Sequence, residues 1–489
     1  MSTSTTKNIM LYVHVAITFF FMFIFGKIVP PIDPITPIGM ELLGIFIGVV
    51  YAWTTTSLLW PSLLAMAAIC LTGAYTMADF LKVSFGNSTV VFLMFILAFC
   101  TCIEDAGLMN FISSWIMSRK IVEKRPWIFS YFLLIGAYIG GIFVNAMAAT
   151  VIFWGILYAA CYKFDIKPHS AYPNAMIFGI AFAALTAGCT VLPFRVTGLV
   201  LLGTFSAASG GLTVPYAQYI IFTFIMGFIF ITAYILMCRY LFRVDVSPLA
   251  NISSDLVSKD DLILSKRQKA LAAAMIIMIL LLLLPDIAPK SWWITTQATQ
   301  LGTCGIMYCI IVAMLLIRVE GQPLMEFQKS ARGINWGMIC LFALVLPFSS
   351  LLTNDITGIK PFLLNIFTPI FMGKPAIVYI LTMGVILAIL TNFANNAVLA
   401  VIFINLSIPI CENLGISPAP VLMVILYCSQ FAYMTPAASS SSAFMFGNTE
   451  WVKPSNMYKY ILGALVVFVI LTFIIALPFA NILFGNIGL

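Results

Sequence analysis

The sequence predicts an all-α integral membrane protein, and three observations predict it. Hydrophobic residues make up 62% of the 489 and charged residues only 8%, with a mean hydropathy of +1.08. Such a chain lacks the polar surface to cover a soluble globule of this length. Apolar runs near 20 residues recur along it, the helix length that crosses a bilayer core of about 30 Å, whereas barrel strands would alternate polar and apolar. Two of these runs carry a break at mid-length, Val144-Asn145-Ala146 and Asn395-Asn396-Ala397. An amide at that depth meets no hydrocarbon partner, so it must be buried in protein or face a water-filled site.

The first run, 9–29, is too long for a signal-peptide core, and Lys27-Ile28-Val29-Pro30-Pro31 is no small-residue cleavage site, so it reads as an uncleaved span. Spans follow at 38–55, 57–75, 88–107, 172–208, 214–241, 268–286, 299–317, 335–352, 417–446 and 458–485, about 11 transmembrane helices in all. The stretches 127–162 and 376–411 hold the two breaks and read as re-entrant hairpins. Arg119, Lys120, Lys124, Arg125, Lys163 and Lys167 flank the first, which marks the cytoplasm. Asp355, Lys360, Lys374 and Glu412 flank the second without basic excess, so it opens outside. Arg239, Arg243, Lys266, Arg267, Lys269, Arg318, Lys329 and Arg332 then all fall on the cytoplasmic side, with the N-terminus inside and the C-terminus outside. A bacterial inner membrane is the expected location. Trp292 and Trp293 stand where an interfacial aromatic belt belongs.

The polar linker 244–269 divides the chain into halves that look like repeats. Asn87 before one apolar span and Glu104-Asp105-Ala106-Gly107-Leu108 after it correspond to Asn335-Trp336-Gly337 and Asn354-Asp355-Ile356-Thr357-Gly358. Forty residues separate Asp105 from Asn145, and 40 separate Asp355 from Asn395. After each hairpin a helix is interrupted, at 190–198 and at 435–442. An odd number of spans lies between the copies, so they sit inverted, the arrangement of secondary transporters with a midplane site at broken helices. The expected division is an N-terminal span (1–37), a first inverted repeat (38–243), a linker with its connecting span (244–298) and a second inverted repeat (299–489).

Composition also excludes function classes. Eleven scattered cysteines show no metal-ligand spacing and read as small buried hydrophobes. Two histidines, His14 and His169, support neither a metal centre nor a Ser/His/Asp constellation, so no enzyme is expected. The net charge of +7 is accounted for by cytoplasmic loops, and nucleic acid is an unnecessary partner.

With these features in place, the chain resembles the divalent anion sodium symporters (solute carrier family 13 type) of the ion transporter superfamily, over nearly its whole length. The carriers are Glu104 to Leu108, the Asn335-Trp336-Gly337 start, the hairpin breaks, and Met434 to Phe444. The resemblance implies a homodimer whose protomers each have a scaffold domain and an elevator-type transport domain. It also implies dicarboxylate, tricarboxylate or sulfate as substrate and sodium ions as the coupling cofactor. Taken with the residues themselves, it leads to Asn145, Ala146, Arg195, Thr197, Asn395, Asn396, Ala397, Ser439 and Ser440 as expected substrate contacts, Arg195 as a departure from the family and Ser439 and Ser440 as hydroxyls beside a helix break, and to possible sodium near Val144, Asn145, Gly188, Asn395, Asn396 and Ala438.

The chain departs from that family at the tips. The usual Ser-Asn-Thr is Val-Asn-Ala in the first hairpin and Asn-Asn-Ala in the second, so hard oxygens for sodium are fewer. Arg195 stands where the family has a neutral residue. A mid-span arginine is costly unless paired or functional, and its fork suits a carboxylate, so an anion clamp and a buried pair with Glu104 or Asp105 are the two readings. The asparagine amides can cap the half-helices of their hairpins whatever else they touch. Ser439 to Ser442 supply hydroxyls beside a helix break. The expected function is secondary active transport of a small anion, a di- or tricarboxylate, independent of sodium or by exchange. Sodium-coupled symport of sulfate or another oxyanion, ion antiport and a passive anion channel remain open.

Overall fold

Because a helix satisfies its backbone internally, apolar runs in a bilayer fold as helices, and here they do so almost throughout. The structure, a computed structural model, describes residues 3–118, 123–143, 146–190, 196–250, 263–352, 354–371, 373–393, 395–435 and 438–488. Among the described residues, eleven helices are long and apolar enough to cross a membrane. They begin with Ile9–Ile28, Pro37–Thr55 and Ser88–Asp105 and end with Pro454–Phe484. A two-residue antiparallel pairing, Arg318 with Pro323 and Val319 with Gln322, is the one β element among them.

Several expected boundaries shift. The run 172–208 is two helices, Ala171–Thr186 and Val196–Ala208, with a 3-10 turn at Ala187–Cys189 before the break. The run 417–446 likewise splits into Pro418–Gln430 and Ser440–Gly447. The span expected at 57–75 shortens to Leu59–Leu71, and that expected at 299–317 starts at Trp293 and bends at Gly302, whose φ of +60° lies outside the helical region. Two short helices escape a search for 20-residue apolar runs: Leu108–Met117 and Ile359–Phe371. Each follows a glycine in the left-handed region, Gly107 (φ +68°) and Gly358 (φ +67°), where a side chain would strain the backbone. Asn87 Oδ1 accepts from Thr89 N, and Asn335 Oδ1 from Met338 N, so the span preceding each glycine is capped alike in both halves.

Both broken stretches form antiparallel helix pairs. The arms of the first are Pro126–Phe143 and Ala146–Lys163; Gly136 packs against the Phe153 ring, equidistant from the break at 144–145. The arms of the second are Ala376–Leu390 and Asn396–Leu414; Ser407 Oγ lies 2.8 Å from Met383 Sδ, equidistant from Asn395. Among the described residues, with the half-helices Ala171–Thr186 and Val196–Ala208 counted as one traverse, five separate the hairpins, the others being Tyr216–Leu241, Lys266–Ile287, Trp293–Leu316 and Trp336–Leu352. Five is odd, so the hairpins enter from opposite faces.

Contacts between segments distant in sequence agree with that threading. On one face His169 N donates to Trp451 O, Gln268 Nε2 donates to Ala106 O at 2.9 Å, and Lys329 lies 4.0 Å from Asp105. On the other, Thr36 Oγ1 donates to Ile356 O, Ala217 N donates to Asp286 Oδ2, and Lys360 pairs with Glu412 at 2.6 Å. The first face carries Lys124, Arg125, Lys163, Lys167, Arg239, Arg243, Lys266, Arg267, Lys269, Arg318, Lys329 and Arg332. Arg119, Lys120 and Thr353 lie outside the described residues.

Candidate functional site

Interrupting a helix inside a bilayer frees backbone groups that water cannot reach, and each must find a partner in the protein. At the first break the partners come from neighbouring helices. Tyr138, on the first hairpin arm, lies 2.8 Å from Thr190 Oγ1 and donates to Thr223 O at 3.2 Å. Tyr219 OH donates to Cys189 O at 2.6 Å, and Thr223 Oγ1 lies 3.3 Å from Thr190 O. All four side chains are buried.

At the second break the hairpin tip is the partner. Asn392, fully buried one turn before the tip, accepts from Tyr433 N at 2.9 Å and Met434 N at 2.8 Å, while its Nδ2 donates to Ala388 O. Thr435 Oγ1 donates to Asn392 O at 2.7 Å, and Thr391 Oγ1 to Ser429 O at 2.8 Å. Tyr433 OH then reaches across to Ala181 O at 2.7 Å, fastening the second break to the helix that leads into the first.

The expected site residues take distinct places. Val144, Asn145 and Arg195 lie outside the described residues, as does the side chain of Ser440. Ala146 and Ala397 are buried at the starts of their hairpins' second arms. Asn395 is half-buried and caps Asn396–Leu414, its Oδ1 accepting from Ala397 N at 3.1 Å and Val398 N at 3.3 Å. Asn396 Oδ1 accepts from Ala397 N at 2.9 Å. Ser439 caps Ser440–Gly447 by accepting from Ser442 N, and its own hydroxyl donates to Ala432 O at 2.8 Å. Ser442, fully buried, donates to Thr435 O at 2.6 Å. Gly188 and Ala438 are buried beside the two breaks, and Thr197 is half-buried in the first turn of Val196–Ala208. Tyr138, Tyr219, Thr223, Asn392 and Tyr433 were not anticipated; the one local signal was Thr391-Asn392, a polar pair at the end of an apolar helix.

The halves also cross over. Val196–Ala208, from the first half, packs on the second hairpin's arm Asn396–Leu414, while Ser440–Gly447, from the second half, packs on Ala146–Lys163. Beside each contact is a hollow. The one on the basic face has about 490 Å³ and is lined by Val151, Trp154, Gly155, Tyr158, Phe444 and Asn448. Trp154 stacks on Phe444 there at 5.1 Å. The one on the opposite face has about 400 Å³ and is lined by Ser209, Ser350, Asn354, Lys360, Pro409 and Glu412. Among the described residues no three His, Cys, Asp or Glu side chains group as metal ligands would.

Four helices therefore start at the interruptions: Ala146–Lys163 and Asn396–Leu414 at the tips, Val196–Ala208 and Ser440–Gly447 after the breaks. The aligned peptide dipoles give each helix start a partial positive charge, which suits an anion.

Comparison with known proteins agrees with this architecture. The sequence profile described as "Citrate transporter" (CitMHS) matches residues 48–400. An uncharacterized transporter of Haemophilus influenzae is 24% identical over 165 residues, a match that spans 33% of this chain and 35% of that protein. The YdaH transporter of Alcanivorax borkumensis superposes with a TM-score of 0.58 at 16% identity, covering 92% of this chain and 99% of its own. MtrF of Neisseria gonorrhoeae superposes at 0.55 with 13% identity, covering 95% and 97%. At such identities the two structures show a shared fold alone.

Proposed function

The chain belongs to the citrate transporter family, and from that premise we propose that this membrane transporter carries a small di- or tricarboxylate, citrate being the first candidate. Transport, without covalent chemistry, is its role. The observation that carries the anion reading is the set of four helix starts at the paired breaks, two of them capped by Asn395 and Ser439. Their dipoles stabilise a carboxylate without formal charge, and Arg195, one residue before Val196–Ala208, adds a planar fork.

In this reading the hairpins and broken helices move together as an elevator-type transport domain against the remaining scaffold, in a homodimer, so that the two hollows serve as alternate mouths. The basic face is cytoplasmic, and the membrane is a bacterial inner membrane. Sodium finds a poor set of ligands. The Asn395 and Asn396 oxygens already accept backbone N–H groups, and the Ser439 hydroxyl is committed to Ala432 O. Transport is then independent of sodium, driven by exchange or by protons.

Counterflow tests this. Vesicles holding purified protein and preloaded with unlabelled citrate should accumulate labelled citrate against its gradient, equally well when choline replaces sodium. Uptake that never exceeds equilibrium would indicate a channel, and strict sodium dependence would overturn the uncoupled reading. Arg195→Gln should abolish anion binding with the thermal midpoint unchanged; loss of folding would instead make Arg195 half of a buried ion pair.

A further inference from the structure

The long helix Tyr216–Leu241 ends on the basic face in a wide π-helical turn, Met237–Leu241. Its flank carries two exposed apolar pairs, Ile221 with Ile225 and, three turns on at the basic end, Leu236 with Tyr240, each pair four residues apart. The second pair borders a hollow of about 550 Å³ lined by Trp127, Arg239, Tyr240, Arg243, Asp245 and Ser247. Trp127 comes from the base of the first hairpin, so the hollow joins two packed helices.

Arg239 is held there by rings. Its guanidinium lies 5.2 Å from the Tyr240 centroid and 6.0 Å from that of Trp127, contacts that orient a cation while leaving its N–H groups free. Among the described residues neither Arg239 nor Arg243 makes an ion pair or hydrogen bond, and Asp245 Oδ1 accepts from Ser247 N at 2.9 Å. The turn places Arg243 at φ +47°, a strained conformation for a side-chain-bearing residue. Two arginine forks therefore line one cavity with a single carboxylate, Asp245, and without an ion pair to it, at the basic end of a long apolar helix.

We infer that this hollow binds the phosphate headgroup of an anionic phospholipid, with the acyl chains lying against Leu236 and the rings and stems beside it at this end of the helix. The arginines suit a phosphate diester, whose oxygens a fork engages in pairs. The exposed apolar surface at Leu236 beside the arginines favours a lipid over a free phosphate, because the two ends of the site have the polarity of the two ends of a phospholipid. The bound lipid would brace the base of the first hairpin against Tyr216–Leu241 through Trp127.

Native mass spectrometry of the purified full chain tests the inference, with phosphatidylglycerol and phosphatidylcholine added in equal amounts. The wild type should retain phosphatidylglycerol preferentially. Arg239→Gln with Arg243→Gln should reduce that retention by roughly thirtyfold, since each basic residue near an anionic headgroup is worth about 1 kcal/mol. The thermal midpoint without lipid should not change. If the double variant fails to fold, Arg239→Lys, which keeps the charge and loses the fork, should show an intermediate loss. Equal retention of the two lipids by the wild type, or unchanged retention by the variants, would overturn the proposal. So would stabilisation by inorganic phosphate as strong as that by phosphatidylglycerol, which would mark a free-phosphate site.

Discussion

The two helix breaks occupy equivalent places in the two halves, yet they are held by different means. The first is supported from outside its own segment, by Tyr138, Tyr219 and Thr223 spread over two helices. At the second, Asn392 alone takes both free N–H groups and a threonine hydroxyl, while Thr391, Ser439 and Ser442 serve its carbonyls. The hollows differ in parallel: aromatic beside Trp154 and Phe444 on the basic face, charged beside Lys360 and Glu412 on the other. Duplicated topology fixes where the chain must be interrupted. It leaves open which side chains satisfy the interruption, because any well-placed hydroxyl or amide can do so.

Concentration of support at Asn392 makes the second break the more fragile. Asn392→Ala strands the N–H groups of Tyr433 and Met434 in a dry interior, at about 1–3 kcal/mol each. The largest loss is therefore expected there, read as a steep fall of the thermal midpoint in detergent and of counterflow. Tyr138→Phe removes one hydroxyl while Tyr219 still serves Cys189 O, so about 1–2 kcal/mol is expected from the same measurement. Equal midpoints for the two variants would break the contrast between concentrated and distributed support.

Smaller effects probe the hollows. Lys360→Gln removes a partly exposed pair and should cost at most about 1 kcal/mol. Gly155→Leu should not destabilise at all. A Cβ at Gly155 meets nothing within 4 Å, and leucine exceeds glycine in helix propensity by under about 1 kcal/mol. If the aromatic hollow is a mouth of the transport path, this filled variant keeps its midpoint while citrate uptake falls. Unchanged uptake would remove the hollow from the path.

Particular residues show what could be read in advance. Asn395 was legible as a cap because a cap acts within three residues of itself, and its oxygen does take the N–H groups of Ala397 and Val398. Ser439 was read for its oxygen and proved to be the cap of its own short helix, with its proton given to Ala432 O. Asn392 passed unnoticed beside the more conspicuous Asn395-Asn396, since its partners lie about 40 residues further along the chain. Leu108–Met117 and Ile359–Phe371 were missed because ten to thirteen residues are too few for a hydropathy window.

By itself, then, the sequence determined a bilayer-embedded helical chain, duplicated, with hairpins at 144–146 and 395–397. Hydropathy, charge bias and local capping act over short stretches and leave their marks in order along the chain. Only the tertiary structure decided which helix continues and which stops, that each half lends its second half-helix to the other's hairpin, and that Asn392 and Tyr138 close the breaks. Those outcomes depend on which backbone groups meet across the fold, and a buried donor takes its partner from whatever is near in space, not in sequence.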